Sequence, residues 1–82
     1  MYLAKVYVTL KPLVNDPQGL TIQGALHNLG FAAVQAVRAG KYFEIKVEAP
    51  DNAEAERAVA SMCAQLLANP VIEDYRFEVA AL

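Results

Sequence analysis

The sequence predicts an α+β domain, a two-layer sandwich in which two helices cover one face of an antiparallel sheet. Segments of alternating polarity and segments with helical spacing of apolar residues occur in the order β-α-β-β-α-β. Capping and turn residues stand at the boundaries between them. With 82 residues, the chain is expected to fold as one domain, residues 1–82.

The first strand is predicted over Tyr2–Leu10. Every second residue of this segment is apolar, which is the period of a strand with one face on a core. The core-facing set is Tyr2, Ala4, Val6, Val8 and Leu10. The opposite face of the strand then carries Leu3, Lys5, Tyr7 and Thr9.

Asp16 and Pro17 predict the start of the first helix, because aspartate is a favoured N-cap and proline fits the first helical position. Apolar residues then recur three and four positions apart, and the stripe they form is Ile22, Ala25, Leu26 and Leu29. Gly30 follows, where a left-handed residue ends a helix at little steric cost. We expect a helix over residues 17–29.

Two further strands are predicted on either side of Gly40-Lys41. The segment Phe31–Ala39 has an extended, mainly apolar pattern. In the segment Tyr42–Ala49, apolar residues alternate with mainly charged ones. A two-residue connection that contains glycine is typical of a hairpin. We therefore expect these two strands to pair with each other.

A second helix is predicted with Asp51 as its N-cap and Glu54 in the capping-box position. Its apolar face comprises Ala55, Val59, Met62, Cys63, Leu66 and Leu67. Asn69 tolerates a left-handed conformation and Pro70 cannot continue a helix, so the helix is expected to end before them. A last strand is expected over Asp74–Ala80, where apolar and charged residues alternate.

The charge and cysteine content exclude several classes of protein. A net charge of −2 with scattered cations gives no basic face, so no nucleic acid is expected as a partner. Cys63 is the single cysteine, which excludes an internal disulfide and makes the cytoplasm the expected compartment. No apolar run reaches the ~20 residues of a membrane span and the first residues do not resemble a secretion signal, so no membrane is expected as a partner.

Apolar residues are in excess for a domain of this size. They make up 56% of the chain, whereas so small a domain buries only about 60% of the surface that its unfolded chain exposes. Part of the apolar material is therefore expected in a protein interface, and a sheet face that mixes aromatic and charged residues suits one. We expect a homodimer or homotetramer that forms through the sheet or its edges.

Few residues could carry catalysis. His27 lies in the first helix and Cys63 in the apolar stripe of the second, so no nucleophile with an adjacent base is predicted. One histidine and one cysteine leave too few metal ligands, and the four glycines are too dispersed for a phosphate-binding loop. The sequence predicts no catalytic residue, no metal site and no cofactor.

Nine residues at the junctions between elements are candidates for partner binding. They are Asp16, Gln18, Gly19, Arg38, Lys41, Tyr42, Asn69, Glu73 and Asp74. A glycine in the first turn of a helix exposes backbone N–H groups to an anion or to a partner's backbone, although simple capping explains it equally well. The central turn and the joint after the second helix allow the same two interpretations, a partner contact or solvated polar residues.

Five segments of the chain, taken in order, carry a family resemblance: Lys5–Leu10, Asp16–Gly19, Gly24-Ala25-Leu26 with Leu29-Gly30-Phe31, Val37–Tyr42 and Cys63–Tyr75. Together they resemble the PurS family, the small subunits of multi-subunit phosphoribosylformylglycinamidine (FGAM) synthases of purine biosynthesis. The resemblance covers essentially the whole chain. Leu20-Thr21-Ile22 departs from the family pattern in being more apolar.

The resemblance implies a subunit without catalytic residues that associates with itself and bridges a large ATP-dependent synthetase subunit and a glutaminase subunit. The glutaminase releases ammonia from glutamine, and the synthetase uses ATP to replace the amide oxygen of formylglycinamide ribonucleotide with that nitrogen. The small subunit would assist assembly and ammonia transfer. The alternative is a small-molecule-binding regulatory module of similar α+β architecture, which requires a ligand pocket at a dimer interface.

Overall fold

The computed structural model describes residues 1–82 and has three strands and two helices in the order β-α-β-α-β. The elements are β1 Tyr2–Leu10, α1 Pro17–Asn28, β2 Gly40–Val47, α2 Asn52–Met62 and β3 Glu73–Ala81. The α+β class and the antiparallel sheet are as predicted. Neither helix has the length and apolar character needed to cross a membrane.

The sheet has the strand order β2-β1-β3, and β1 in the middle runs antiparallel to both neighbours. In the register, Tyr2 lies opposite Ala81, and Val6 lies between Phe43 and Phe77. The inner face of the sheet is the one that packs against α2, and there the core consists of Ala4, Val6, Val8, Val59, Cys63 and Ala68. The alternation predicted for β1 is therefore confirmed, and Cys63 is a core residue.

The second helix begins as predicted and ends differently. Asp51 Oδ1 accepts a hydrogen bond from the Glu54 N–H at 2.8 Å, which confirms the N-cap. After α2 the chain forms a π-helical turn, Cys63–Leu67, in which the Ala68 N–H donates to the Cys63 carbonyl at 3.0 Å. Since a π turn adds a residue to the helical repeat, Leu66 turns to solvent and is 83% exposed, so its predicted place on the apolar face is wrong.

The strand predicted over Phe31–Ala39 is wrong, and so is the hairpin. Residues 31–39 pair with no strand, and Gly40 begins β2 instead of forming a turn. Gly40 is explained by its contact with the central strand, because a Cβ there would lie 2.6 Å from the Val8 carbonyl oxygen. The order β-α-β-β-α-β is thus corrected to β-α-β-α-β.

The first helix does not cover the sheet. Only α2 packs broadly against β1 and β3, whereas α1 stands off the sheet and gives the molecule dimensions of 50 × 28 × 14 Å. The prediction that both helices cover one face is therefore wrong. We call residues 17–37, which comprise α1 and the chain returning from it, the arm.

Candidate functional site

The arm joins the sheet at an elbow formed by residues 11–16 and 38–40, and Asp16 is at its centre. Asp16 is 4% exposed and uses both carboxylate oxygens. Oδ1 accepts from the Gly19 N–H at 2.9 Å, which confirms the predicted N-cap of α1, and Oδ2 accepts from the Ala39 N–H at 2.7 Å. One carboxylate thus caps the helix and holds the returning chain.

Two further predicted residues complete the elbow. Arg38 Nη2 donates to the carbonyl oxygens of Lys11 at 3.1 Å and Val14 at 2.9 Å, so the guanidinium fixes the loop that leads into α1. Gly19 is buried against the returning chain. A Cβ at this position would lie only 2.2 Å from the Val37 carbonyl oxygen, so a side chain does not fit there. The close approach expected at Gly19 is therefore made by this chain's own backbone.

The arm is also held along its length. His27 Nε2 lies 2.7 Å from the Val34 carbonyl oxygen, and Gln23 Nε2 donates to the Gln35 carbonyl oxygen at 3.2 Å. Because a carbonyl oxygen only accepts, the His27 contact places the proton on Nε2. These bonds keep the returning chain against α1.

The stability of the elbow depends on pH through Asp16. The backbone N–H groups of Gly19 and then Ala39 bond to the carboxylate and lower the pKa of Asp16 below its ordinary value of 3.8. A carboxyl whose pKa is lower in the folded chain adds stability above its unfolded pKa, about 3.9, and this stability is lost as the pH falls through the folded pKa. The elbow therefore weakens in acid.

We expect Asp16→Asn to flatten the pH dependence of unfolding. Urea midpoints measured between about pH 5 and about pH 2 should fall more steeply for the natural chain than for the variant, which has no carboxylate to protonate. Asp74→Asn is the control, because no hydrogen bond or ion pair within the chain holds that exposed carboxylate. If the urea midpoints of the natural chain and Asp16→Asn fell equally with pH, the Asp16 carboxylate would not be the group that makes stability depend on pH.

A hollow of about 210 Å³ lies where the elbow meets the sheet. Its predicted members are Asp16, Gln18, Lys41 and Glu73, and its other lining residues are Val8, Leu10, Ala39 and Gly40. Lys41 Nζ lies 3.6 Å from Glu73 Oε2, and Glu73 Oε1 accepts from the Asn69 N–H at 2.7 Å. The charges in this hollow are already paired within the chain.

The joint between α2 and β3 is closed by Asn69. Its Oδ1 accepts from the Val71 N–H at 3.0 Å, and its carbonyl oxygen accepts from the N–H groups of Ile72 and Glu73. No residue other than glycine has a positive φ, so Asn69 does not adopt the left-handed conformation that asparagine tolerates. Asparagine stops the helix here through a side-chain turn instead.

The face of the sheet opposite α2, which we call the open face, carries a row of three side chains across its three strands. The Tyr7 and Tyr42 ring centroids are 5.1 Å apart, and the Arg76 guanidinium carbon lies 4.0 Å from the Tyr7 centroid. The Tyr42 hydroxyl donates to Glu44 Oε2 at 2.7 Å, and this bond raises the pKa of Tyr42 to about 12. Next to the row is a hollow of about 360 Å³, also lined by Thr9, Gly40, Lys41, Asp74 and Tyr75.

The nine predicted residues therefore gather at one end of the sheet with different roles. Asp16, Gly19 and Arg38 hold the elbow, and the joint is held by Lys41, Asn69 and Glu73. The other three, Gln18, Tyr42 and Asp74, are exposed and take no part in holding the elbow or the joint. The prediction missed Tyr7 and Arg76 as members of the site. Their contact depends on the register of β1 with β3, which the alternation in each strand does not give.

The side chains with catalytic potential lie apart from this site. Burial raises the pKa of the Cys63 thiol, so no reactive thiolate is formed there. His27 is engaged by the arm, and no three side chains among His, Cys, Asp and Glu converge on a point where a metal ion could bind.

Comparisons with known proteins agree over almost the whole chain. The family model described as PurS, phosphoribosylformylglycinamidine (FGAM) synthase, matches residues 3–81. The phosphoribosylformylglycinamidine synthase subunit PurS of Bacillus subtilis is 53% identical over 79 residues, which cover 96% of this chain and 93% of that protein. The subunit of the same name from Synechocystis is 52% identical over 81 residues, which cover 99% of this chain and 81% of that protein.

Solved structures agree with the fold described above. Bacillus subtilis PurS superposes with a TM-score of 0.89 at 52% identity, covering 99% of this chain and 100% of that one. Methanocaldococcus jannaschii PurS, described as one of the subunits of formylglycinamide ribonucleotide amidotransferase, gives 0.91 at 43% identity and covers 100% and 99%. A chain of PurLQS from Thermotoga maritima gives 0.87 at 31% identity and covers 98% and 99%.

Proposed function

This chain belongs to the PurS family, and from that membership we propose that it is the small assembly subunit of a phosphoribosylformylglycinamidine synthase in purine biosynthesis. The observation that carries the proposal is the likeness, over nearly all of both chains, to a chain of the PurLQS complex. The likeness favours this function over a small-molecule-binding regulatory module. We place the complex in the cytoplasm, where a single buried thiol stays reduced.

The proposed role is to bridge the synthetase and glutaminase subunits and to assist ammonia transfer between them. The contacts of the site support two different roles for its residues. The paired residues of the elbow and the joint give the sheet end a fixed shape, since their polar atoms are already bonded within the chain. The exposed side chains of Gln18, Tyr42 and Asp74 then supply groups for a partner subunit.

Self-association is part of the same proposal. We expect a homodimer or homotetramer, because only 9 of 82 residues are buried in the single chain, too few for the apolar content of the sequence. The sheet or its edges are the surfaces that the sequence points to. The open face and the outer edges of β2 and β3 are uncovered in the protomer.

Reconstitution with the two large subunits tests the function. We expect the three chains to co-elute and to make the amidine from glutamine. When this chain is omitted, the glutamine-dependent rate should be lost and the rate with an added ammonium salt kept, because free ammonia needs no transfer. The chain alone should turn over neither glutamine nor the ribonucleotide. Turnover by the isolated chain, or an unchanged glutamine-dependent rate without it, would contradict the proposal.

The same reconstitution with Asp74→Ala examines the sheet end. We expect weaker co-elution with an intact fold, since the Asp74 carboxylate is exposed and has no partner in the chain. Glu56→Ala is the matched control, because it removes an exposed carboxylate from α2, far from the elbow. Equal co-elution of both variants would remove Asp74 from the docking surface.

A further inference from the structure

We propose that the hollow of about 360 Å³ on the open face receives an arginine side chain from one of the large subunits. The guanidinium pairs with the Asp74 carboxylate and stacks on the Tyr42 ring. The proposal rests on the assembly function proposed above, and it goes further because it names the chemical group that the partner subunit supplies. We call this cavity the open-face hollow.

The register of the sheet explains why the open face has a hollow at this end. Gly40, Thr9 and Asp74 lie side by side across β2, β1 and β3. Because Gly40 has no side chain, this row has a gap beside Thr9. Tyr42 is two residues further along β2, so its side chain is on the same face and bounds the gap. The hollow therefore lies between a carboxylate and an aromatic ring.

Asp74 carries the one unpaired charge in the lining of the open-face hollow. The charged lining residues are Lys41, Asp74 and Arg76. Lys41 Nζ lies 3.6 Å from Glu73 Oε2, and Arg76 Nη1 lies 3.9 Å from Glu78 Oε1. The Asp74 carboxylate has no cation within 4 Å. One negative charge is therefore left without a partner, and it favours a cation from another molecule.

The Tyr42 ring supplies the second contact. Its hydroxyl is held by Glu44 Oε2 at 2.7 Å and its ring lies 5.1 Å from that of Tyr7, yet Tyr42 is 49% exposed. Arg76 already lies over Tyr7, whereas no cation lies over Tyr42. A guanidinium is planar, so it can stack on a ring while it donates two hydrogen bonds to a carboxylate. An ammonium group cannot do both, which favours arginine over lysine.

The arginine comes from a different protein, because the three arginines of this chain are already engaged. Arg38 holds the elbow, Arg57 is paired with Glu54, and Arg76 lies on Tyr7. A second copy of this chain therefore brings no free guanidinium. A free arginine molecule would bind weakly, since an exposed ion pair contributes little. An arginine carried on a partner's surface loses its water as the interface closes, and its contacts then become stronger.

Modification of arginines with phenylglyoxal, followed by peptide mass spectrometry, tests the proposal on the reconstituted complex. We expect one arginine of a large subunit to lose most of its reactivity in the complex and to regain it when the complex is made with Asp74→Asn or Tyr42→Leu. If the three chains co-elute and no partner arginine behaves in this way, the proposal is overturned and the assembly function stands. Protection of an arginine only in a second copy of this chain also overturns it. A failure to co-elute would instead contradict the assembly function.

Two matched pairs of variants separate the charge from the ring. Asp74→Asn removes the charge and should weaken binding to the large subunit at least about 10-fold in Kd, whereas Asp74→Glu should keep most of the affinity. Tyr42→Leu removes the ring and should weaken binding as well, whereas Tyr42→Phe keeps the ring and should bind nearly as the natural chain does. The amide spectrum of β1 reports that each variant is folded. Natural affinity in Asp74→Asn or in Tyr42→Leu would overturn the proposal.

A double-mutant cycle then tests the pairing itself. When the protected arginine of the large subunit is replaced by glutamine, Asp74→Asn should weaken binding no further, because the pair is already broken. Gln18→Ala is the control, because Gln18 is exposed and lies outside the open-face hollow. Any effect of Gln18→Ala should add in full to that of the arginine substitution. Full additivity for Asp74→Asn would overturn the pairing.

Discussion

Gly19→Ala is expected to destabilise the chain by about 1–3 kcal/mol, the usual cost of forcing an extra carbon into a packed site. The added Cβ would lie 2.2 Å from the Val37 carbonyl oxygen and 3.0 Å from Asp16 Oδ2. Both atoms belong to the elbow, and the first is backbone, so the substitution must move α1 away from the returning chain. The arm would then no longer be held in the orientation described here.

Gly24→Ala, in the same helix, is the control for Gly19→Ala. No atom lies within 4 Å of a Cβ built at Gly24. Replacing glycine by alanine in a helix interior then adds about 0.5–1 kcal/mol of stability. Urea unfolding of both variants measures the difference, and sedimentation reports whether self-association follows it. Equal stability of the two variants would show that the contact between Gly19 and Val37 is not close.

Val59→Asp is expected to prevent folding. Val59 is fully buried among a core of six residues, so the new carboxylate would have no water and no partner. An uncompensated buried charge costs about 3–5 kcal/mol, and the lost packing adds to it. A chain of 82 residues is stabilised by only about 4–12 kcal/mol in total. Far-UV circular dichroism and the dispersion of the amide spectrum measure the loss of fold.

Val71→Asp makes the same chemical change at the surface. Val71 is 77% exposed at the joint, so the carboxylate stays hydrated and the fold should remain. A folded Val59→Asp chain would contradict the core described here. An unfolded Val71→Asp chain would show that the joint is packed more tightly than its exposure indicates.

Local signals in the sequence predict most of the elements. The N-caps Asp16 and Asp51 bond to residues three positions away, and the alternation over Tyr2–Leu10 reflects one buried face. Both patterns extend over a few neighbouring residues, so they can be recognised in the sequence. The segment Phe31–Ala39 has the composition of a strand but no strand beside it in its own chain. A sequence window reports the tendency to extend and does not report where the pairing partner comes from.

The site could be located from sequence but its contacts could not. The nine candidates lie at element junctions, and an antiparallel sheet with β1 in the middle brings those junctions to one end. The roles of Asp16 and Arg38 depend on bonds across 23 to 27 residues, which no local pattern encodes. The exposure of Leu66 cannot be predicted from the sequence for another reason, since a π turn changes the helical period without a distinctive residue.

The register of the sheet also affects how fast this protein can fold. β1 pairs over its whole length with β3, and Tyr2 lies opposite Ala81. Both helices and β2 lie between these two strands in the sequence, so the sheet is complete only when the chain between them has closed into a loop. Such contacts between distant parts of the sequence slow folding, because a long loop must close before they form. Closure of the chain between β1 and β3 is therefore expected to limit the folding rate.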